Sequence, residues 1–446
     1  MNSFIIHNAL VVNEGRSFLG GVLVVRDRIA EVFEGCVPDG VAADFVYDAG
    51  KKWLLPGVID EHVHFRDPGM THKADMRTES RAAAAGGVTS FMDMPNTSPQ
   101  TVSMDAWEEK NRMAAEKSVI NYAFYFGATN TNSDLLSAVD VRHTPGVKLF
   151  MGASTGNMLV DRIDVLERVF RESPVLIATH CEDQAVINDN MRKLVEEYGG
   201  DAPVELHPVV RSREACVSST RLAVSLAERF DARLHVLHVS TADELALFSD
   251  GPILDKRITA EVTAAHLSFC DDDYRRLGAM IKCNPAIKTS ADRDALVRAL
   301  AGGRIDTVGT DHAPHLLNEK RGGCVSAVSG MPSIQFSLLV MLELARGGAL
   351  SRERVVEVMC HNPALIYDVK ERGFIRPGYK ADLVLVDAGC EWTLGRDEVV
   401  SRCGWSPFEG CVFHHRVAST FVNGSLVFDG NDVVAGGRGE LLEFDR

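Results

Sequence analysis

Four histidines and one aspartate stand at or near the ends of apolar segments, where side chains of these types could bind a metal ion. His62 and His64 end LLPGVIDEHVHF, and a spacing of two places both imidazoles on one face of a strand. His180 ends PVLIATH, His238 lies near the end of RLHVLHVS, and Asp311 ends TVGTD. A chance HxH pair and ordinary core histidines are the alternatives for the single residues. A carboxylate is costly to bury unless it is paired or metal-bound, so the five together indicate a metal site.

Lys148 is a sixth candidate, because it lies inside the short apolar segment GVKLFM. A buried ammonium group is expensive in such a strand. One alternative is a lysine that snorkels to the rim. The other is a lysine whose amine has reacted with CO₂, which creates an anionic ligand with two oxygens that can bridge two metal ions.

No chemistry is assigned to eight other histidines. His235 lies three residues before His238 and is expected to face the other side of the strand. The others fall in loops, termini or helical segments: His7, His72, His143, His207, His361, His414 and His415.

The elements that must position these residues are apolar strands that alternate with helical segments. The candidate strands are LLPGVIDEHVHF, VTSFMDMPN, INYAFYFGAT, GVKLFM, PVLIATH, RLHVLHVS, ITAEVT, MIKCNP and DTVGTDHAP. Nearly continuous apolar runs are typical of parallel strands that are buried on both faces. The alternation predicts an α/β fold, a (β/α)₈ TIM-like barrel, in which the carboxyl ends of the strands form the active-site face.

Both chain ends have a different texture, with short strands separated by turn residues. Examples are FIIHNALVV and GVLVVRDRIAEVF near the start, and ADLVLVD and VASTFVNGSLVFDG near the end. We therefore expect one small β-sandwich domain built from both termini. The predicted division is 1–53 for its first part, 54–372 for the metal-binding barrel and 373–446 for its second part.

The composition limits the kinds of partner. With 47 basic against 62 acidic residues, the net charge is -15, which argues against non-specific binding to nucleic acid or an anionic membrane. We find no signal-peptide pattern and no apolar run that could span a bilayer. The ten cysteines show no CxxC pair and suggest a reducing compartment, so a cytoplasmic location and a small-molecule substrate are expected.

Several motifs resemble those of dihydroorotases, allantoinases and hydantoinases, a group within the amidohydrolase superfamily. PGVIDEHVHFRDPG looks like the first-strand signature of this group, and MDMPNT, ATHCED, HVLHVS, GTDHAPH and SPFEG are similar to its later motifs. EVTAAHL and KCNPAIKT look like dihydroorotase elements, although Ala264, Ala265 and Lys288 depart from that pattern. The resemblance covers nearly the whole chain.

The resemblance implies two divalent metal ions, with zinc as the default because imidazole and carboxylate ligands suit it. His62, His64 and Asp311 would hold one ion, and His180 and His238 the other. Lys148, carboxylated at its amine, would bridge the two. Asp311 would also act as the catalytic acid and base.

The resemblance also implies residues that bind the substrate. Arg66, Asn96 and Asn284 match positions that hold its carboxylate and ring, and His315 matches a further contact. The alternative for Arg66 is an ion pair with Asp67 or Glu61 at the surface. Two hydroxyl residues that resemble a substrate-covering loop are Ser154 and Thr155.

The activity that the resemblance favours is dihydroorotase, the reversible cyclisation of N-carbamoyl-L-aspartate to L-dihydroorotate and water in pyrimidine biosynthesis. Allantoinase or hydantoinase (dihydropyrimidinase) is the main alternative, and Lys148 favours it slightly. A catalytically inactive scaffold subunit is a remote alternative, because every ligand position is filled. A homodimer or homotetramer and a partner enzyme of the pyrimidine pathway stay open.

Overall fold

The computed structural model describes residues 3–152, 158–434 and 437–446, so Ser154 and Thr155 lie outside the described residues. The strands, numbered in chain order, are β1 Ser3–Asn13, β2 Arg16–Val25, β3 Arg28–Glu34, β4 Phe45–Asp48, β5 Trp53–Pro56, β6 Val58–Val63, β7 Val88–Asp93, β8 Asn121–Phe124, β9 Phe126–Gly127, β10 Val147–Phe150, β11 Ile177–His180, β12 Leu234–Val236, β13 Ile258–Thr263, β14 Thr307–Gly309, β15 Leu383–Thr393, β16 Val412–Val422 and β17 Ser425–Phe428.

The α-helices are α1 Met76–Ala85, α2 Met104–Lys117, α3 Ile163–Glu172, α4 Gln184–Tyr198, α5 His207–Val210, α6 Arg213–Phe230, α7 Ala264–Ser268, α8 Tyr274–Leu277, α9 Ser290–Ala301, α10 Ser337–Arg346, α11 Arg352–Val356 and α12 Asn362–Tyr367. Shorter 3₁₀ segments are Ser133–Ala138, Val204–Leu206, Asp243–Leu247, Ile253–Asp255, Asp271–Asp273, Gly278–Ile281, Leu317–Lys320 and Arg396–Glu398, and Glu357–His361 forms a π-helical turn. No helix of the described residues is long and apolar enough to cross a membrane.

Strands β6 to β14 form a closed parallel barrel, as predicted. They hydrogen-bond in the orders β6-β7-β8 and β14-β13-β12-β11-β10-β9. Tyr125 alone separates β8 from β9, so these two short strands together occupy one strand position of the barrel. The barrel closes where Val63 bridges His312 in parallel and the amide of His64 donates to the carbonyl of His312 at 2.8 Å. The carboxyl ends of all these strands therefore surround one mouth of the barrel.

The segment MIKCNP is not a strand, so this prediction is wrong. Residues 278–281 form a 3₁₀ segment, and β13 (ITAEVT) is the strand that lies between β12 and β14 in the barrel. A short apolar run cannot be distinguished from buried loop by periodicity alone. Here the loop is buried because the ammonium of Lys282 donates to backbone carbonyls, including that of Cys324 at 2.7 Å. Asn284 consequently reaches the barrel mouth from a loop.

The terminal sheet contains both chain ends, in the order β17-β16-β15-β5-β1-β2-β3, with β4 paired to β1. Strand β5 pairs antiparallel with β15 and parallel with β1, so it joins the N-terminal and C-terminal strands. The chain passes from β5 directly into the barrel strand β6, which anchors the barrel on this sheet. The domain boundary that we predicted after residue 53 falls within β5.

Candidate active site

One cavity of about 350 Å³ lies at the carboxyl ends of the barrel strands. All the residues predicted for the site line it: His62, His64, Arg66, Asn96, Lys148, His180, His238, Asn284, Asp311 and His315. They come from strand ends and loops that are distant in sequence, and the closed barrel collects them because its strands are parallel.

His62, His64 and Asp311 form a compact group of candidate ligands. Asp311 Oδ1 lies 3.3 Å from His62 Nε2 and 3.0 Å from His64 Nε2. Burial lowers the pKa of His62 to about 3, which keeps the imidazole neutral. Two neutral nitrogens and one carboxylate are a donor set that zinc accepts.

Hydrogen-bond partners decide which ring nitrogen of each histidine faces Asp311. Glu261 Oε1 lies 2.9 Å from His62 Nδ1 and also accepts the backbone N–H of His238 at 2.9 Å. Asn96 Oδ1 lies 2.8 Å from His64 Nδ1. Because these oxygens accept the Nδ1 protons, the Nε2 lone pairs are directed at the cavity.

His180 and His238 form a second pair of candidate ligands. His180 Nδ1 lies 2.9 Å from His238 Nε2, and the ring centroids are 4.6 Å apart with the planes at 80°. His180 Nε2 is committed to Glu182 Oε2 at 2.9 Å. The ring of His238 lies 5.2 Å from that of His62, which brings the two groups of ligands side by side.

Left-handed backbone conformations direct three of the site residues into the cavity. The φ angles of Arg66, His238 and Asp311 are 64°, 40° and 46°. Such conformations cost on the order of 1–3 kcal/mol each in residues other than glycine, and they concentrate at functional sites. The strain indicates that the position of these side chains matters more than local stability.

The expected orientation of His235 is wrong. The Nε2 atom of His235, in β12, lies 3.9 Å from Glu61 Oε1, in β6. Because β12 and β6 are not neighbouring strands of the barrel, this contact must cross the barrel interior. His235 and His238 are therefore both directed inward. The alternation of faces fails because β12 ends at Val236 and the positive φ of His238 turns the chain.

Lys148 is directed at the cavity and not at the rim. The residue is 1% exposed, and its ammonium lies 4.6 Å from the centroid of the Phe150 ring. No carboxylate of the described residues lies within 4.0 Å of its nitrogen. Burial lowers the pKa of Lys148 to about 7, so a large fraction of the amine is unprotonated near neutral pH. Only an unprotonated amine has the lone pair that can react with CO₂.

Arg66 lines the same cavity as the candidate ligands. Its Nε donates to the carbonyl of Pro314 at 3.1 Å, and an Nη lies 2.9 Å from His315 Nε2. The alternative ion pairs of Arg66 do not form, because Asp67 pairs with Lys117 at 2.7 Å and Glu61 is buried in the barrel interior. Among the described residues no carboxylate lies within salt-bridge distance of this guanidinium.

Sequence reasoning missed three charged residues that support the site. Glu261 and Glu182 are fully buried and bond to the candidate ligands His62 and His180, and Arg211 lines the cavity while it pairs with Glu182. A glutamate inside the apolar run ITAEVT was an available signal, because a buried carboxylate requires a partner. The sequence around Arg211 contains no comparable indication that this residue supports the site.

The fold and this site define a class of protein. The sequence profile of the amidohydrolase family matches residues 53–427. The chain belongs to the amidohydrolase family, and the match covers the barrel together with β5, β15, β16 and most of β17 of the terminal sheet.

Three individual proteins illustrate which enzymes this chain is similar to. The chain is 37% identical to a dihydroorotase of Halobacterium salinarum over 385 residues, which is 86% of this chain and 88% of that one. It is 33% identical to an allantoinase of Deinococcus radiodurans, with 97% of this chain and 96% of that one covered. The solved L-hydantoinase (dihydropyrimidinase) of Arthrobacter aurescens is 28% identical, has a TM-score of 0.93, and covers 99% of this chain and 100% of its own.

Proposed function

We propose that this chain is a dihydroorotase, which hydrolyses L-dihydroorotate to N-carbamoyl-L-aspartate and catalyses the reverse cyclisation in pyrimidine biosynthesis. The observation that carries this proposal is Arg66, a buried guanidinium that lines the cavity with the candidate metal ligands and has no carboxylate partner among the described residues. Dihydroorotate has a ring carboxylate that can pair with it, whereas allantoin, dihydrouracil and simple hydantoins have none. The similarity to the dihydroorotase of Halobacterium salinarum supports the same activity.

The ligand groups described above fit two divalent ions, and zinc is the ion that we propose. When bound, such a pair polarises a carbonyl group and lowers the pKa of water towards 7. His62, His64 and Asp311 would hold one ion, His180 and His238 the other, and carboxylated Lys148 both. Asp311 would accept the proton of the attacking water and deliver it to the ring nitrogen as the carbon–nitrogen bond breaks.

Other residues that line the cavity would orient the ring. Arg66 would grip the substrate carboxylate through two parallel hydrogen bonds, which is the geometry that a guanidinium favours. Asn96 and Asn284 would contact the carboxylate and ring. His315 is 7% exposed, and its Nδ1 lies 3.1 Å from Lys73 Nζ, so its ring is held beside Arg66.

Allantoinase or hydantoinase is the second candidate. It is favoured by the allantoinase relative, by the hydantoinase structure and by a lysine at position 148. A scaffold subunit without catalysis is disfavoured because all six ligand positions line the cavity. The deciding experiment compares turnover of dihydroorotate, allantoin and dihydrouracil by the purified protein. Preference for dihydroorotate is expected, and preference for another ring would replace the proposal with the second candidate.

Purified protein that has been supplied with metal is expected to contain about two divalent ions per chain, as two-metal hydrolases do. Elemental analysis of fully active protein checks this number. A chelated sample should lose activity and regain it with added zinc. Active protein without metal would contradict the proposed chemistry.

Replacing Arg66 with methionine is expected to weaken the use of dihydroorotate and carbamoyl-aspartate while metal content stays normal. The loss of a buried charge-assisted pair should cost roughly 2–5 kcal/mol of transition-state stabilisation, and kcat/KM should fall accordingly. Steady-state kinetics at low substrate concentration measure it. Arg402→Met, which removes an exposed arginine paired with Asp75, is the control. Unchanged turnover in the Arg66 variant would exclude a role in carboxylate binding.

The proposal also includes a cytoplasmic location, because all ten cysteines are free thiols, as is typical of a reducing compartment. A homodimer or homotetramer and a pyrimidine-pathway partner enzyme stay predictions. Size-exclusion chromatography with light scattering would measure the assembly.

A further inference from the structure

A buried ion pair lies directly behind one candidate metal ligand. Glu182 is fully buried, and its Oε2 accepts from His180 Nε2 at 2.9 Å. The same oxygen forms a very short contact with a guanidinium nitrogen of Arg211. The other oxygen of Glu182 has no hydrogen-bond partner among the described residues. One carboxylate oxygen therefore connects the guanidinium to the imidazole.

His180 differs from the first pair of histidines in the nitrogen that it directs at the cavity. His62 and His64 use Nδ1 for their partners and direct Nε2 at Asp311. His180 uses Nε2 for Glu182 and directs Nδ1 at His238 Nε2, 2.9 Å away. A neutral imidazole has one N–H, so the partner that accepts it selects the nitrogen left for a metal.

Arg211 has a different environment from the arginine two residues later. Its side chain is 14% exposed and lines the cavity. Arg213 is 39% exposed and pairs with Asp292 at 2.7 Å and Asp243 at 3.2 Å, on the outer surface. Of these two arginines, only Arg211 is in contact with the carboxylate that holds His180, so Arg213 provides a control within the same chain.

We propose that Glu182 and Arg211 are positioning residues that hold His180 with its Nε2 proton on Glu182, so that Nδ1 is the atom that binds the second metal ion. Arg211 fixes the location of Glu182 Oε2, and Glu182 fixes the tautomer and the ring plane of His180. This inference rests on the two-metal site of the proposed function. It assigns the pair a role in the metal site, separate from any role in binding the substrate.

The test measures metal affinity as well as activity. Zinc affinity is determined by chelator competition for the parent protein, Glu182→Gln, Arg211→Met and Arg213→Met. Removing partners of this kind typically weakens metal binding about 10–100-fold, so one ion is expected to weaken by that factor in Glu182→Gln and Arg211→Met. The other ion should keep the parent affinity, and Arg213→Met should match the parent for both.

Two further readouts separate positioning from other roles. With Co²⁺ in place of zinc, the visible spectrum of one site should change in the two variants. Turnover should fall in kcat with little change in KM, and excess zinc should restore part of it. If Arg211→Met fails to fold, Arg211→Lys takes its place, because it keeps the positive charge without the planar fork.

The parent protein is measured first, so that the two proposals fail separately. A folded parent that binds fewer than two ions would contradict the proposed function itself. A parent with two ions and a folded Glu182→Gln with both affinities and the cobalt spectrum unchanged would overturn only the positioning role. An Arg211 variant that keeps both ions but has a raised KM would likewise overturn it, in favour of direct contact with the substrate.

Discussion

Replacement of Lys148 by alanine is expected to remove nearly all activity together with the paired metal site. The lysine lines the same cavity as the two groups of histidines, and no carboxylate of the described residues pairs with it. A carbamate on its amine would supply the anionic oxygens that hold both ions. Alanine has no atom that can do so, and the two ions would then lose their shared ligand.

Elemental analysis and turnover of the variant check this result. Short carboxylic acids such as acetate or propionate should restore part of the activity, because they can occupy the space and supply the two oxygens. Lys193→Ala, which removes a lysine that is 63% exposed, should behave as the parent. A Lys148→Ala variant that is active without added acid would mean that the lysine is structural.

Replacement of Asp311 by asparagine is expected to lower turnover by several orders of magnitude while part of the metal is retained. The amide keeps the shape of the carboxylate and one oxygen ligand, but it cannot accept and return a proton. General acid–base catalysis alone contributes about 10²–10⁴-fold. The contacts with His62 and His64 leave Oδ1 where it is, so the loss should appear in kcat more than in folding.

Single-turnover kinetics of zinc-loaded Asp311→Asn separate the chemical step from binding and product release. Asp231→Asn serves as the control, because that side chain is 82% exposed and lies in the turn after α6. Turnover within about tenfold of the parent would remove Asp311 from the acid–base role.

Three features show where prediction from sequence stopped. His235 was placed on the wrong side because a rule for regular strands was extended past the end of β12. MIKCNP was predicted to be a strand, although β13 already fills the position between β12 and β14. The local pattern indicates that Glu261 needs a partner but does not say that the partner is His62, and nothing in it shows that Arg211 pairs with Glu182.

The barrel, the sheet built from both termini and the strand ends that carry the candidate ligands could all be predicted from the sequence. These features follow from local periodicity, from apolar runs and from the rule that parallel strands end on one face. The folded chain was needed to show which nitrogen of each histidine faces the cavity, how Lys148 is buried and that Arg66 has no carboxylate partner among the described residues. Those properties depend on distances between residues far apart in the chain, such as His62 and Glu261, which exist only once the barrel has closed.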